Sequence, residues 1–301
     1  MDYTWVVLAF VSAVLLAASD ALTKRSLEGD DEHLVAGFRL LFSLPLLVII
    51  LFIIPVPRLD AGFYMAFFIA LPIEAVTVVL YIKALKESPL SLTMPFQALT
   101  PVFLIFFSYV LLGEKVSLPG AAGILLIAAG SYVLNIIRVK EGLCQPFRAI
   151  TKEKGAVYMI IVALLYSITS SMGKMAIEHS SPLFFASVYF IGLNLVYLPY
   201  GLTRGLTGNS TRRGGASLRE YLVSGRYRRQ VVPGIFYSVM VLTHMAAMKM
   251  TKVAYMVSVK RSSLLISILF GYLFFREDNI RDRFFGALLM FIGFVLVVSS
   301  R

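Results

Sequence analysis

Cysteine, histidine and charged residues are scarce in this chain of 301 residues. A single cysteine, Cys144, excludes an internal disulfide, and three histidines leave too few ligands for a metal cluster. Charged side chains make up only 15% of the sequence, against about 25% in an ordinary soluble domain. These shortages argue against a soluble globular protein, a disordered chain and a nucleic-acid-binding module.

In place of charge, the chain has long apolar runs. Hydrophobic residues make up 58% of the sequence, and its mean hydropathy is +0.82. A helix needs about 20 apolar residues to cross the core of a bilayer. Ten runs approach or exceed this length: 3–23, 34–54, 61–82, 90–112, 118–137, 155–177, 182–202, 231–250, 253–275 and 284–300. The sequence therefore predicts an all-α integral membrane protein with ten transmembrane helices and short loops.

The second half of the sequence repeats the first. A shift of 150 residues aligns spans 1 and 2 with spans 6 and 7, and places Lys24 on Lys174. A shift of 163 aligns spans 3 to 5 with spans 8 to 10, and places Glu114 on Glu277. Five spans is an odd number, so the two halves must cross the bilayer in opposite directions. Inverted repeats are typical of secondary transporters, whose substrate site lies where the repeats meet near the midplane. The predicted division is 1–137, a basic linker 138–154, and 155–301.

Small and acidic residues recur at fixed places in both halves. The first half has Ala84-Leu85, Pro101, Leu112-Gly113-Glu114, Gly120, Gly123 and Gly130, and the second has Ala247, Arg276-Glu277, Gly286 and Gly293. This pattern resembles the EamA family of the drug/metabolite transporter superfamily, over the whole chain as two copies. The resemblance implies a ten-helix carrier that exports or exchanges small metabolites without ATP. No P-loop is present in the sequence, and we expect no cofactor, no metal and no enzymatic activity.

Two adjacent cations lie inside span 9. Charges within a membrane helix face the bundle interior and are functional candidates by default, which applies to Lys260 and Arg261. Ser263 shares a helix face with Lys260. The sugar-phosphate translocators of the same superfamily have a similar Lys-Arg pair in helix 9, which implies a substrate with an anionic group. The alternative is a structural ion pair with Glu74 across the bundle.

The repeat supplies a second polar stripe. Lys260 aligns with Gln97 and Ser263 with Thr100, so span 4 presents a neutral counterpart of the cationic face of span 9. The sugar-phosphate translocators have Lys at the place of Gln97, and its absence argues against a phosphate substrate. We expect both stripes to line one substrate site.

Glu74, His244 and Tyr81 complete the predicted site. Glu74 lies in the middle of span 3, where it is a ligand for a substrate amine, a proton-coupling carboxylate, or a counter-charge for buried cations. His244 in span 8 aligns with Tyr81 in span 3, and both are expected to reach the cavity.

Other charges have local explanations. We expect Arg39 and Lys174 to extend to the membrane surface, and Asp20 to pair with Lys24 one helical turn away. Glu114 and Glu277 stand between spans, where a carboxylate can cap helix amides.

The positive-inside rule gives an orientation. The loops after the odd-numbered spans hold 19 Lys and Arg residues, and the termini and even-numbered loops hold 6. The basic loops 138–154 and 203–230 are therefore predicted to be cytoplasmic and both termini to lie outside.

The sequence favours a secondary transporter of a small polar, anionic metabolite that works by alternating access. The alternatives are an exporter of amino acids or drugs with a structural Lys260/Arg261 ion pair, a channel, and a membrane-embedded enzyme. The expected partners are the lipid bilayer and a small-molecule substrate, with no nucleic acid. A proton or a counter-substrate is the candidate for coupling, and the carrier is expected to be a monomer or a homodimer.

Overall fold

The computed structural model describes residues 3–26, 30, 32–87, 96–136, 154–206, 218–266 and 280–300. The regular secondary structure of these residues is helical throughout. The principal helices are α1 (Thr4–Ser26), α2 (Glu32–Ile53), α3 (Ala61–Glu87), α4 (Thr100–Leu112), α5 (Leu118–Ile136), α6 (Lys154–Glu178), α7 (Pro182–Leu206), α8 (Val231–Met250), α9 (Val253–Lys260) and α10 (Ile280–Ser299). A short helix, Leu218–Val223, and a 3₁₀ turn, Arg226–Gln230, precede α8.

Within these ranges, six helices are long and apolar enough to cross a bilayer, namely α1, α2, α3, α6, α7 and α8. Helices α4, α5 and α10 are apolar but shorter, and α9 is described over eight residues. The predicted all-α membrane architecture is confirmed. Residues 138–153 of the predicted linker and Glu277 lie outside the described residues.

The main helix contacts follow the sequence repeat. Helix α1 packs on α8, and α3 packs on α6. The repeat relates α1 to α6 and α8 to α3, so each of these two pairs is the counterpart of the other. Helices α2 and α7 pack on each other, as do α5 and α10, and each of these pairs maps onto itself. The largest contacts therefore join one repeat to the other, with an approximate two-fold relation between the halves.

Glycines allow α5 and α10 to approach closely. A Cβ added at Gly130 would lie 2.6 Å from the Gly286 carbonyl oxygen, and one added at Gly123 would lie 2.7 Å from the Gly293 carbonyl oxygen. No side chain fits at these crossing points, which is the usual reason for small residues between membrane helices.

Lys174 does not extend to the membrane surface, so that prediction was wrong. Its side chain is only 6% exposed, and its Nζ donates hydrogen bonds to the carbonyl oxygens of Met248 (2.7 Å), Lys249 (3.1 Å) and Thr251 (3.2 Å). These carbonyls end α8 and have no partner within the helix. The ammonium satisfies them and complements the negative end of the helix dipole.

Glu114 caps a helix, as predicted, but the helix belongs to the other repeat. Its Oε2 accepts a hydrogen bond of 2.9 Å from the backbone N–H of Val253, the first residue of α9. Lys174 and Glu114 therefore fix the two sides of the α8–α9 turn.

Arg39 has a partner on another helix, and that its side chain reaches the membrane surface stays a prediction. Its Nη1 donates a 2.7 Å hydrogen bond to Oδ1 of Asp20, and its guanidinium lies 5.0 Å from the ring centre of Tyr237. Asp20 thus has a partner on α2, while its predicted pair with Lys24 stays a prediction, because the side chain of Lys24 lies outside the described residues.

A second contact between the halves lies at the end of the molecule where α2 meets α3 and α6 meets α7. The Asp60 Oδ2 atom is 2.8 Å from Nδ1 of His179, and its Oδ1 accepts a 3.1 Å hydrogen bond from the Phe63 amide. The bond to His179 and the amide bond lower the pKa of the Asp60 carboxyl from its ordinary value of 3.8.

Candidate functional site

A cavity of about 270 Å³ lies inside the bundle, between the two repeats. Repeat 1 supplies few lining residues, from α1, α3 and the start of α4, and repeat 2 supplies the rest, from α6 to α9. Seven of the eight predicted site residues line it: Glu74, Gln97, Thr100, His244, Lys260, Arg261 and Ser263.

Tyr81 does not line this cavity. It packs against a neighbouring cluster that contains Ala84, Phe96 and Met159. The structure therefore brings together every predicted residue except this one.

The chain deviates from regular α-helix at equivalent points in the two halves, where α4 begins and α9 ends. The Leu99 amide donates to the Phe96 carbonyl (3.1 Å), and the Ser262 amide donates to the Val259 carbonyl (3.0 Å). Both are bonds between residues three apart, and the shift of 163 relates one to the other. Such short tightened stretches often mark functional sites, because they free backbone carbonyls and change the direction of side chains.

Arg261 connects these two points. Its Nη2 donates a 3.0 Å hydrogen bond to the backbone carbonyl of Gln97, which also accepts a 3.0 Å bond from the Thr100 hydroxyl. The Nε atom of Arg261 is buried and has no hydrogen-bond partner in the described parts of the chain. One side of the guanidinium is therefore held by the protein, while Nε still lacks an acceptor.

Lys260 lines the cavity and is partly buried. No hydrogen bond or ion pair to its ammonium occurs among the residues that the structure describes. A buried charge without a partner is costly, so a nearby site for an anion would stabilise this arrangement.

Glu74 of α3 lines the cavity together with Thr169 of α6, whose hydroxyl donates a 3.4 Å hydrogen bond to the Tyr166 carbonyl. Lys260 is near enough to attract the Glu74 carboxylate electrostatically. No ion pair joins Glu74 to Lys260, Arg261 or Arg39 over the described ranges. The structural ion pair considered from the sequence is therefore not formed in this conformation.

His244 occupies the α8 side of the cavity. Its Nδ1 is buried and lacks a hydrogen-bond partner within the described segments. A ring nitrogen in this state can bind a polar group that enters the cavity.

The apolar wall of the cavity was not predicted from the sequence. This wall consists of aromatic and methionine side chains from α6, α7 and α8: Tyr166, Phe185, Tyr189, Phe190, Tyr237, Met240, Met245 and Met248. Together with Val241 and His244, the lining residues of α8 stand at 237, 240, 241, 244, 245 and 248, which is the spacing of one helix face. That spacing alone does not distinguish a cavity wall from a packed core, because both require a helical stripe.

Comparison with known proteins identifies the family. Residues 3–136 and 153–299 match the model of the EamA-like transporter family. The chain belongs to this family. This EamA-like transporter is thus a membrane protein that carries small molecules, built as two repeats of the same unit.

A solved structure described as "Crystal structure of protein" is similar to this EamA-like transporter, with a TM-score of 0.76 and 16% sequence identity. The match covers 100% of this chain and 99% of the other. At this identity the likeness shows the fold alone. The search of curated proteins found no match to this chain.

Proposed function

We propose that this protein is a secondary transporter for a small organic anion, which it moves by alternating access. The anionic group would bind between α4 and α9, at Lys260 and Arg261, with Gln97, Thr100 and Ser263 as further hydrogen-bonding groups. The observation that carries the proposal is the Lys260 ammonium, which faces the cavity without a counter-ion among the described residues.

Two further features support an anion. The Nε of Arg261 is an unused donor beside Lys260, and Arg together with Lys is a usual pair for binding carboxylate or phosphate. The irregular backbone at Gln97 and Ser262 gives α4 and α9 points at which they can bend when the cavity changes its access.

The orientation remains a prediction from charge. The basic loops 138–154 and 203–230 are proposed to face the cytoplasm, with the termini outside. Coupling to a proton or to a counter-substrate belongs to the same proposal.

Counterflow into proteoliposomes with a panel of carboxylated, phosphorylated and cationic solutes tests the function. We expect saturable, trans-stimulated uptake of anions by the wild-type protein. Lys260→Ala should reduce the affinity for them about tenfold to hundredfold, the usual cost of a lost charged hydrogen bond.

Arg261→Lys should also weaken binding, because lysine lacks the planar fork of the guanidinium. Lys249→Ala, which changes an exposed lysine at the end of α8, is the matched control and should transport normally. Preference for cations, or full anion transport by both site variants, would contradict the proposal.

A further inference from the structure

The charges around the cavity can be counted one by one. Asp20 and Arg39 neutralise each other through their 2.7 Å contact, and neither lines the cavity. Among the described lining residues, this leaves two cations, Lys260 and Arg261, and one carboxylate, Glu74. With all three ionised, the empty cavity has one net positive charge.

Glu74 is available to act on a ligand. It lines the cavity but forms no ion pair with Lys260 or Arg261 in the described structure. Its negative charge is therefore not cancelled by direct contact with a cation. Glu74 lines the same cavity of about 270 Å³ as Lys260 and Arg261, so an anion bound to these cations meets a like charge there, and it is repelled more strongly than in water.

We infer that Glu74 sets the charge of the substrate and restricts it to one net negative charge. A monoanion neutralises the cavity, whereas a dianion leaves it with a net negative charge away from bulk water. Dicarboxylates and phosphate monoesters are therefore excluded, and monocarboxylates are accepted. This inference rests on the proposed anion site at Lys260 and Arg261 and names the charge class that the site takes.

Pairs of ligands that differ by one charge and little else provide the test. Malonate, succinate and glutarate are compared with their monoamides, by inhibition of counterflow of the best anion found in the solute panel. The wild-type protein should prefer the monoamide of each pair. Glu74→Gln removes the repelling charge at nearly constant shape, and should shift the ratio towards the diacid by about tenfold or more.

Two further variants separate charge from local structure. Glu74→Asp retains the carboxylate and should retain the preference for monoamides. The double variant Glu74→Gln with Lys260→Gln returns the cavity to one net positive charge, carried by Arg261, and should regain that preference. It also reports on charge selection where the single variant fails to fold.

Each outcome has a distinct meaning. A wild-type protein that transports no anion overturns the proposed function itself. A wild-type protein that transports anions but prefers diacids overturns only the inference. The same holds if folded Glu74→Gln keeps the wild-type ratio, or if the double variant prefers diacids.

Discussion

The α8–α9 turn offers a direct measurement of what one buried lysine contributes to the fold. Lys174→Met retains most of the aliphatic stem and its packing, but removes the ammonium that binds three carbonyl oxygens at 2.7, 3.1 and 3.2 Å. An ammonium has three protons, so these bonds use all of its donors. The contact with Glu178 at 3.3 Å is then electrostatic, and because that carboxylate is 50% exposed, it contributes little.

The expected loss in the free energy of unfolding follows from the three hydrogen bonds. A hydrogen bond with one charged partner contributes about 1.5–3 kcal/mol, but bonds that share one ammonium are not additive. The bond to the Lys249 carbonyl is only part-buried, whereas the other two are buried, so we expect it to contribute least. We therefore expect Lys174→Met to lower the free energy of unfolding by about 3 kcal/mol, close to the value of two bonds.

Equilibrium unfolding in mixed micelles of rising SDS fraction, followed by circular dichroism, measures this free energy. Lys249→Met is the control, because its exposed side chain lies at the end of the same helix and should cost less than about 0.5 kcal/mol. Equal stability of the two variants would refute the role assigned to Lys174 in completing α8.

Three other expectations concern packing, pH and orientation. Gly130→Ala should cost about 1–3 kcal/mol, because the new methyl group meets a carbonyl oxygen at 2.6 Å, while Gly37→Ala, with its nearest neighbour at 4.0 Å, should be close to neutral in the same assay. The pKa of the Asp60 carboxyl is lowered in the folded protein, so its ionised form stabilises the fold above pH 3.8, and this contribution is lost as the pH falls through the lowered pKa. At neutral pH, Asp60→Asn should therefore have a lower melting temperature than the wild type. In strong acid the two melting temperatures should be equal. A cysteine placed at the exposed Arg219 in a cysteine-free background should react with an impermeant reagent only after the membrane is opened. A tag after the last residue should be accessible from outside. The opposite result for both sites would invert the predicted orientation.

Most of the fold was predictable because membrane helices leave strong sequence signals. The apolar runs predicted the helices, and the alignment of the second half of the sequence with the first predicted the two repeats. The alignment also extends to the site, because it relates Gln97 to Lys260 and Thr100 to Ser263. The structure puts all four on one cavity.

The predictions that failed concern polar partners that lie far away in the sequence. Lys174 lies where a lysine can reach the surface, but the carbonyls that bind it belong to α8. The partner of Arg39, Asp20, also lies on another helix and was not predicted. Tyr81 lies on the same helix as Glu74, but the packing of α3 places only Glu74 on the cavity and turns Tyr81 towards the neighbouring cluster. These facts depend on the relative rotation of helices, which hydrophobic periodicity does not specify.

The packing of α1 on α8 has a consequence for how the protein is made. Ser12 and Ser19 of α1 donate hydrogen bonds to the carbonyls of Met240 and Pro233, over separations of 228 and 214 residues. At usual rates of synthesis this gap corresponds to roughly 10–45 s. During that time α1 lies in the bilayer without its partner α8, and the glycine face of α5 is likewise covered only by lipid until α10 is made. A chain that stops before α6 therefore has no partner for those faces, and should be cleared by membrane proteases rather than accumulate as a half-sized carrier.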